Sequence, residues 1–269
     1  MRVFEFVPEN TEDCSVRAWL HGDDAFSEIK PRKRPAVIIC PGGGYSMVSE
    51  REAEPVAKHY FAAGYHTFIL RYSVKDKAKD FRPLCQLAST IAHARKFAEE
   101  WLICRDKIAV TGFSAGGHLA CSLGTLFNEE RFLNTFGRDE DIRPNAMVLC
   151  YPVITADEYS NTGSIEGVSG AKIGTETYQW FGLDKHVDAQ TPPTFLWHTA
   201  EDTCVPVENS LKMAAALSQA KVPFELHVFP KGGHGSSVCN REVDAFNEYN
   251  GRWMKWSIQW LNKVFEYEL

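Results

Sequence analysis

Residues 107–127 read KIAVTGFSAGGHLACSLGTLF, and this stretch decides the fold. Its opening run, 107–111, is β-branched and apolar, and a helical pattern takes over from about Ala115. Between them stands Gly112-Phe113-Ser114-Ala115-Gly116, a serine on a tight strand-to-helix turn with glycine two residues away on either side. Such a turn strains the serine backbone, and larger side chains at the glycine positions would strike the neighbouring strand and helix. Gly117 adds further room. The helix start directs its unbonded N–H groups and the positive end of its dipole at any anion forming beside Ser114.

Outward from this stretch the strand-then-helix rhythm recurs. β-rich runs lie at 36–40 (AVIIC), 66–71 (HTFILR), 146–150 (AMVLC), 194–198 (TFLWH) and 223–229 (PFELHVF). Most are continuously apolar, as parallel strands covered on both faces require. Two earlier runs, 2–7 and 14–20, read as an N-terminal hairpin or edge pair. Val56, Tyr60 and Ala63 form a helical stripe ended by Gly64, with its start near Glu54. Ser49-x-x-Glu52 could be a capping box for that helix, although Pro55 would then fall inside it. Pro83 opens a longer helix carrying Leu84, Leu87, Ala88, Ile91, Ala94, Ala98 and Leu102 on one face. Two more helices are expected over 205–220 and 252–265, the second burying Trp253, Trp256, Trp260 and Val264. The alternation predicts a mostly parallel, doubly wound sheet of about eight strands with helices on both faces. Residues 155–193 break the rhythm with no clear strand or long helix, and loops of that length are usually functional or lid-like.

A serine hydroxyl needs a base to become a nucleophile near neutral pH. Of nine histidines, His234 sits in Lys231-Gly232-Gly233-His234-Gly235, a loop just after the last strand run, from which an imidazole reaches over the strand ends. His227 lies inside a strand, His198 ends one, and His118 stands one helical turn past Ser114; these positions suit packing. A base needs a carboxylate to fix its tautomer. Asp202 follows the 194–198 strand at the same sheet edge. Glu201 points elsewhere if Asp202 points in, and Asp184 and Asp188 fall in the irregular segment. A fourth element, Pro41-Gly42-Gly43-Gly44-Tyr45 after the 36–40 strand, offers backbone N–H groups to a developing negative oxygen. It lacks the GxGxxG spacing of a dinucleotide loop and the GK[ST] tail of a phosphate loop.

Composition narrows the field. Among 269 residues, 44% are apolar and 24% charged, which excludes disordered, collagen-like and coiled-coil chains. A net charge of −6 argues against nucleic acid or anionic membrane as partner, the one basic run being Lys30 to Arg34, read as a solvated turn. No stretch has the length of a signal peptide's apolar region or a membrane span. Eight scattered cysteines without a CxxC pair, several inside apolar runs, read as free thiols in a reducing compartment, with the cytoplasm as the expected home. The dispersed histidines give no metal constellation, and no cofactor is expected.

The segments PGGGYSMVSEREAEPVAKHYFAAGYHTFILRYSV, GFSAGGHLA, HTAEDTCVPVENS and GGHG occur in the order of the α/β-hydrolase esterases. The chain resembles the bacterial carbohydrate acetylesterases among them, acetyl-xylan and related hemicellulose esterases included, from about residue 35 to 265. The chain order Ser114, Asp202, His234 is also theirs. The resemblance implies a single α/β-hydrolase domain over 1–269, with 155–193 as a small cap or lid. It implies Ser114 as nucleophile, His234 as base, Asp202 as its acid, and Gly43, Gly44 and Ala115 as N–H donors to the oxyanion. Hormone-sensitive-lipase relatives carry His where Pro41 stands, which points away from that branch. The expected substrate is a short acyl ester, above all acetyl on a sugar or oligosaccharide, taken up into the cell before deacetylation. Tyr45, Tyr72, Tyr178, Trp180 and Phe181 lie in or near loops at the expected edge and could serve as packing or as a platform for sugar rings or a feruloyl group. Rival readings are a feruloyl or general short-chain esterase, a peptidase like the prolyl oligopeptidase catalytic domain, and a non-catalytic binding module on the same fold.

Overall fold

The computed structural model describes residues 1–22, 31–130 and 142–268. Eight strands form one sheet: β1 (Arg2–Phe6), β2 (Ser15–Leu20), β3 (Arg34–Cys40), β4 (His66–Arg71), β5 (Ile103–Phe113), β6 (Ala146–Cys150), β7 (Thr194–Thr199) and β8 (Phe224–Phe229). Their order is β1-β2-β4-β3-β5-β6-β7-β8. β1 and β2 pair antiparallel, β2 runs antiparallel to β4, and every later pairing is parallel. The early runs are therefore the edge pair expected of them.

The apolar strand runs are explained by cover on both faces. Along β3, Ala36, Ile38 and Cys40 join one buried layer while Val37 and Ile39 join the other. Helices α1 (Glu54–Ala62), α2 (Arg82–Lys96) and α3 (Ala115–Leu126) follow β3, β4 and β5. Two short helices, α4 (Thr162–Ser169) and α5 (Glu176–Trp180), lie in the irregular segment, and α6 (Glu208–Gln219) and α7 (Arg252–Val264) complete the set described here. The α2, α3 and α6 side chains build one layer, and those of α1 and α7 the other. Trp253 is fully buried there, with Trp256, Trp260 and Val264 packed against its cluster. Among the described residues no helix is long and apolar enough to cross a membrane.

Three local expectations need correction. The helix opened by Pro83 stops at Lys96 rather than reaching Leu102. The chain then turns twice, with Ile103 N–H bonded to Ala98 O at 2.8 Å, so that Trp101 stacks on Phe68 and Phe97. The helix expected from Val205 begins at Glu208: Pro206 disfavours helical backbone at Val205, and the preceding turn is closed by Asp202 Oδ1, which accepts the N–H groups of Cys204 and Val205, each at 2.9 Å. Finally, Arg34 is no solvated turn residue: it opens β3, half-buried, and donates to Gly64 O and the Tyr267 hydroxyl. Lys30 lies outside the described residues.

Within 155–193 only short helical pieces occur, as the missing periodicity suggests. The segment is nonetheless built into the core. Ile165, Val168, Tyr178, Phe181 and Leu183 are buried in the α2–α3 layer. Asn209 fastens its start by accepting from Ile154 and Thr155 N–H and donating to Tyr159 O.

Parallel strands put the C-terminal ends of β3, β5, β7 and β8 at one rim. Since β3 lies between β4 and β5, the chain leaves it in one direction and returns on the other side, opening the crevice where doubly wound sheets hold ligands.

Candidate active site

Ser114 takes φ 54° and ψ −119°, a conformation that costs about 1–3 kcal/mol and persists only where the surroundings impose it. They do so backbone against backbone. A Cβ on Gly112 would lie 2.1 Å from Gly116 O, and one on Gly116 would lie 2.1 Å from Cys40 O. Ser114 N–H donates to Cys150 O at 3.0 Å, and its carbonyl accepts from Val153 and His118 N–H. The hydroxyl is thereby lifted from the end of β5 above the first turn of α3.

The three expected side chains meet there. His234 Nε2 stands 2.8 Å from Ser114 Oγ, and His234 Nδ1 stands 2.6 Å from Asp202 Oδ2. Nδ1 faces a carboxylate and therefore carries the hydrogen, leaving Nε2 to accept from the serine hydroxyl. Asp202 is buried, which alone would push its carboxyl up. Hydrogen bonds from His198 and His234, the His234 charge and the Val205 N–H outweigh this and hold it well below the ordinary carboxylate value. The loop carrying His234 is pinned by Thr199 Oγ1 donating to Gly232 O and Asn250 Nδ2 donating to Lys231 O. Glu201 is exposed beside Asp202, as expected.

The other histidines pack. His198 is fully buried, its Nε2 facing Val205 O at 2.9 Å and Asp202 Oδ2 at 3.4 Å, while Nδ1 accepts from Ser210 Oγ at 2.8 Å. It thus supports the acid. His118 bonds the Tyr45 hydroxyl and Phe181 O, and His227 bonds Glu225 beside Trp256.

A cavity of about 500 Å³ opens over Ser114 and His234. Gly43 and Gly44 line it, with φ of 126° and 63°, in the left-handed range that glycine enters at no steric cost. Among the described residues the N–H groups of Gly43, Gly44 and Ala115 have no hydrogen-bond acceptor, so they remain able to receive an anion. Ser49, Arg51, Asn161, Ser164 and Cys204 furnish much of the rest of the wall. Asn161 caps α4 by accepting from Ser164 N–H and ties that helix to the Asp202 turn through Cys204 O.

Of the two readings of the aromatic residues, packing describes them, and the platform over Ser114 does not form. Tyr45 and Tyr72 are buried beneath the glycine loop, the first bonded to His118 and the second to Pro41 O at 2.6 Å; Tyr178 is buried as well. Trp180 and Phe181 line a separate cavity of about 430 Å³, with Asp80, Phe81, Val168 and Glu176 among its walls. None of the five lines the cavity over Ser114. An aromatic residue near a loop is usually the packing that holds the loop, and the position in sequence carries no sign of which way the ring faces. Conversely, Glu52 at the cavity floor was legible only as half of a capping box. Ser49 makes no capping bond, and the Glu52 carboxyl turns inward to accept from Gly42 N–H and the Tyr151 hydroxyl. Tyr151, which bonds Glu52, and the wall residues Arg51, Asn161 and Ser164 gave no signal, because they belong to no motif.

Fold and site together define the α/β-hydrolase class, with the hydroxyl on a glycine-walled elbow after the central strand. The BD-FAE family model matches residues 25–217, and the chain belongs to that family. It is 37% identical over 251 residues to endo-1,4-beta-xylanase B of Butyrivibrio fibrisolvens, covering 92% of this chain and 37% of that protein. It is 28% identical over 231 residues to an acetylxylan esterase of Xylanibacter ruminicola, covering 82% of this chain and 45% of that protein. The chain thus spans less than half the length of these curated relatives. Among solved structures, an acetyl ester-xyloside bifunctional hydrolase from Caldicellulosiruptor lactoaceticus superposes with a TM-score of 0.80 at 33% identity, over 94% of this chain and 88% of that one. MGS-M1, an α/β hydrolase from a Medee basin deep-sea metagenome, gives 0.79 at 34% identity over 99% of both chains.

Proposed function

We propose that this chain is a carboxylic-ester hydrolase acting through Ser114, His234 and Asp202, with acetyl groups on xylan-type sugars or oligosaccharides as its substrates. One observation carries the chemistry: a continuous path from Ser114 Oγ through His234 to Asp202, with contacts of 2.8 and 2.6 Å. Along it, His234 Nε2 takes the hydroxyl proton as Ser114 attacks the ester carbonyl. Asp202 stabilises the imidazolium, and the N–H groups of Gly43, Gly44 and Ala115 hold the oxyanion. His234 returns the proton to the leaving alcohol, and water repeats the sequence on the acyl-enzyme. Activity declines on the acid side as the imidazole gains a proton and ceases to act as base.

The acetyl-sugar reading draws its support from the acetylxylan esterase and the acetyl ester-xyloside hydrolase among the relatives. Ser49, Arg51, Asn161 and Ser164, set in an otherwise largely apolar wall, offer hydrogen bonds to a hydroxylated substrate. The unpaired cysteines support a reducing compartment, in keeping with cytoplasmic use of imported oligosaccharides. Acetate release from acetylated xylo- and manno-oligosaccharides, beside p-nitrophenyl esters of rising chain length, feruloyl esters and aminoacyl arylamides, tests the whole. Acetyl esters should lead. Preference for feruloyl esters or arylamides overturns the substrate, and absence of all turnover together with no fluorophosphonate labelling of Ser114 overturns the mechanism.

A further inference from the structure

Glu52 is a buried carboxyl that this proton path leaves unused. It keeps 3% exposure at the end of a short 3-10 turn, Glu50–Glu52. Two donors meet it: Gly42 N–H at 2.8 Å on Oε2 and the Tyr151 hydroxyl at 2.7 Å on Oε1. The Tyr151 oxygen accepts Ser237 N–H at 2.9 Å, and the tyrosine ring stands edge-on to the His234 imidazole with centroids 5.0 Å apart. Ser237 is itself fixed, its Oγ donating to Arg51 O at 2.6 Å and its carbonyl accepting from Trp253 Nε1 at 2.9 Å. The chain of bonds therefore begins one residue before Gly43 and ends three residues after His234. Both Glu52 oxygens act as acceptors, so the ionised form satisfies the network.

We propose that Glu52 is a positioning residue for the reaction: its carboxylate ties the glycine loop to the His234 loop and sets a fixed negative charge toward the imidazolium. The proposal rests on the serine-hydrolase reading of the same site. The cationic or cation-forming groups facing Glu52 are His234 and Arg51; the titratable neutral ones are Tyr151, Tyr72 and Cys150, all pushed up by burial. Burial pushes the Glu52 carboxyl up as well, against the Tyr151 and Gly42 bonds and the His234 and Arg51 charges. A buried acid beside one cation, Arg51, and one group that becomes a cation only during the reaction, His234, costs stability when ionised, and a site tolerates that cost where the charge serves chemistry.

Glu52→Gln keeps the shape but offers only one acceptor to two donors. For p-nitrophenyl acetate, kcat should fall roughly 10- to 100-fold with KM changed less than about threefold, the signature of misplaced reacting groups. The acid limb of kcat/KM should move to lower pH, because the imidazolium loses a facing negative charge. Glu52→Asp retains the charge and should restore the acid limb while kcat stays below wild type. Tyr151→Phe conserves volume, frees Ser237 N–H and serves if Glu52→Gln does not fold; it should lower kcat in the same sense. A folded Glu52→Gln or Tyr151→Phe with unchanged kcat and acid limb overturns the proposal, as does a fall in Tm alone. The rate of Ser114 labelling by a fluorophosphonate separates the two claims. Labelled wild type that cleaves no ester overturns the esterase reading, and the labelling rates of the variants then decide Glu52. Wild type that is not labelled overturns both.

Discussion

Gly116 and Gly163 are both helix glycines, one in α3 at the rim and the other in α4 of the 155–193 segment, and their surroundings are opposite. A Cβ on Gly116 would meet Cys40 O at 2.1 Å and Pro41 O at 2.3 Å, whereas one on Gly163 would meet nothing within 4 Å. At the rim the polypeptide packs backbone on backbone, so the positions of Ser114 and the glycine loop are set by contacts that no side chain can adjust. The 155–193 segment is held instead by buried side chains such as Ile165, Tyr178 and Leu183, and by the Asn209 clasp. The rim therefore fixes the chemistry, while the segment closes the wall of the cavity and tolerates change.

The sharpest way to break that contrast is at the hydroxyl. Ser114→Ala should lower ester turnover by about 10⁴- to 10⁶-fold and abolish fluorophosphonate labelling. Appreciable residual burst kinetics would mean that another nucleophile does the work. Next comes the packing beneath it: Gly116→Ala should destabilise by about 3 kcal/mol or more in urea unfolding, since the atoms in the way are main-chain carbonyls. A variant as stable as wild type would show that the β3 end and α3 can separate, and the rim would lose its claim to rigidity.

The acid of the site gives a pH-resolved test. Asp202 is held below its ordinary value of 3.8, so its folded form favours ionisation more than the unfolded chain does. Its contribution to stability is complete above that value and disappears as pH falls through the depressed one. The stability gap between wild type and Asp202→Asn should accordingly be constant near neutrality and narrow below 3.8. A gap that is flat in acid, measured by urea unfolding, would mean that His198, His234 and the Val205 N–H do not stabilise the carboxylate.

The same contrast governs what could be read from the sequence. Ser114, Asp202, His234 and the glycine loop were legible because each follows an apolar strand run, and the parallel order sends those strand ends to one rim. Gly112 and Gly116 were legible because a steric demand between backbones leaves only glycine. The helix end at Lys96 was not, since it depends on Trp101 finding Phe68, a contact distant in sequence. The direction of an aromatic ring is set the same way: Tyr45 faces His118 rather than the cavity because the glycine loop needs a floor. Glu52 was hidden for a related reason, its partners Gly42, Tyr151 and Ser237 coming together only in the folded rim.

In the permissive region the expected effects are small. Gly163→Ala fills open space in α4 and should stabilise the protein by about 0.5 kcal/mol, the helix-propensity gain alone, with unchanged kcat. A loss of stability would reveal a constraint on α4 that its open surroundings do not suggest.

Trp180→Ala is the smallest of all on turnover, and the most informative about where the site ends. The ring contacts Phe81, Phe181 and His186, and it borders the cavity beside Val168, apart from the one over Ser114. If the chemistry is confined to the rim, hydrolysis of p-nitrophenyl acetate should change by no more than about twofold, or ~0.4 kcal/mol of barrier. Unfolding measured on the same sample shows whether the packing loss stays local. A tenfold fall in kcat with an intact fold would mean that the Trp180 packing reaches Ser114 through α4, whose Asn161 and Ser164 line the catalytic cavity. In that event the segment would share in setting the geometry, and the division between a rigid rim and a tolerant wall would have to be redrawn at α4.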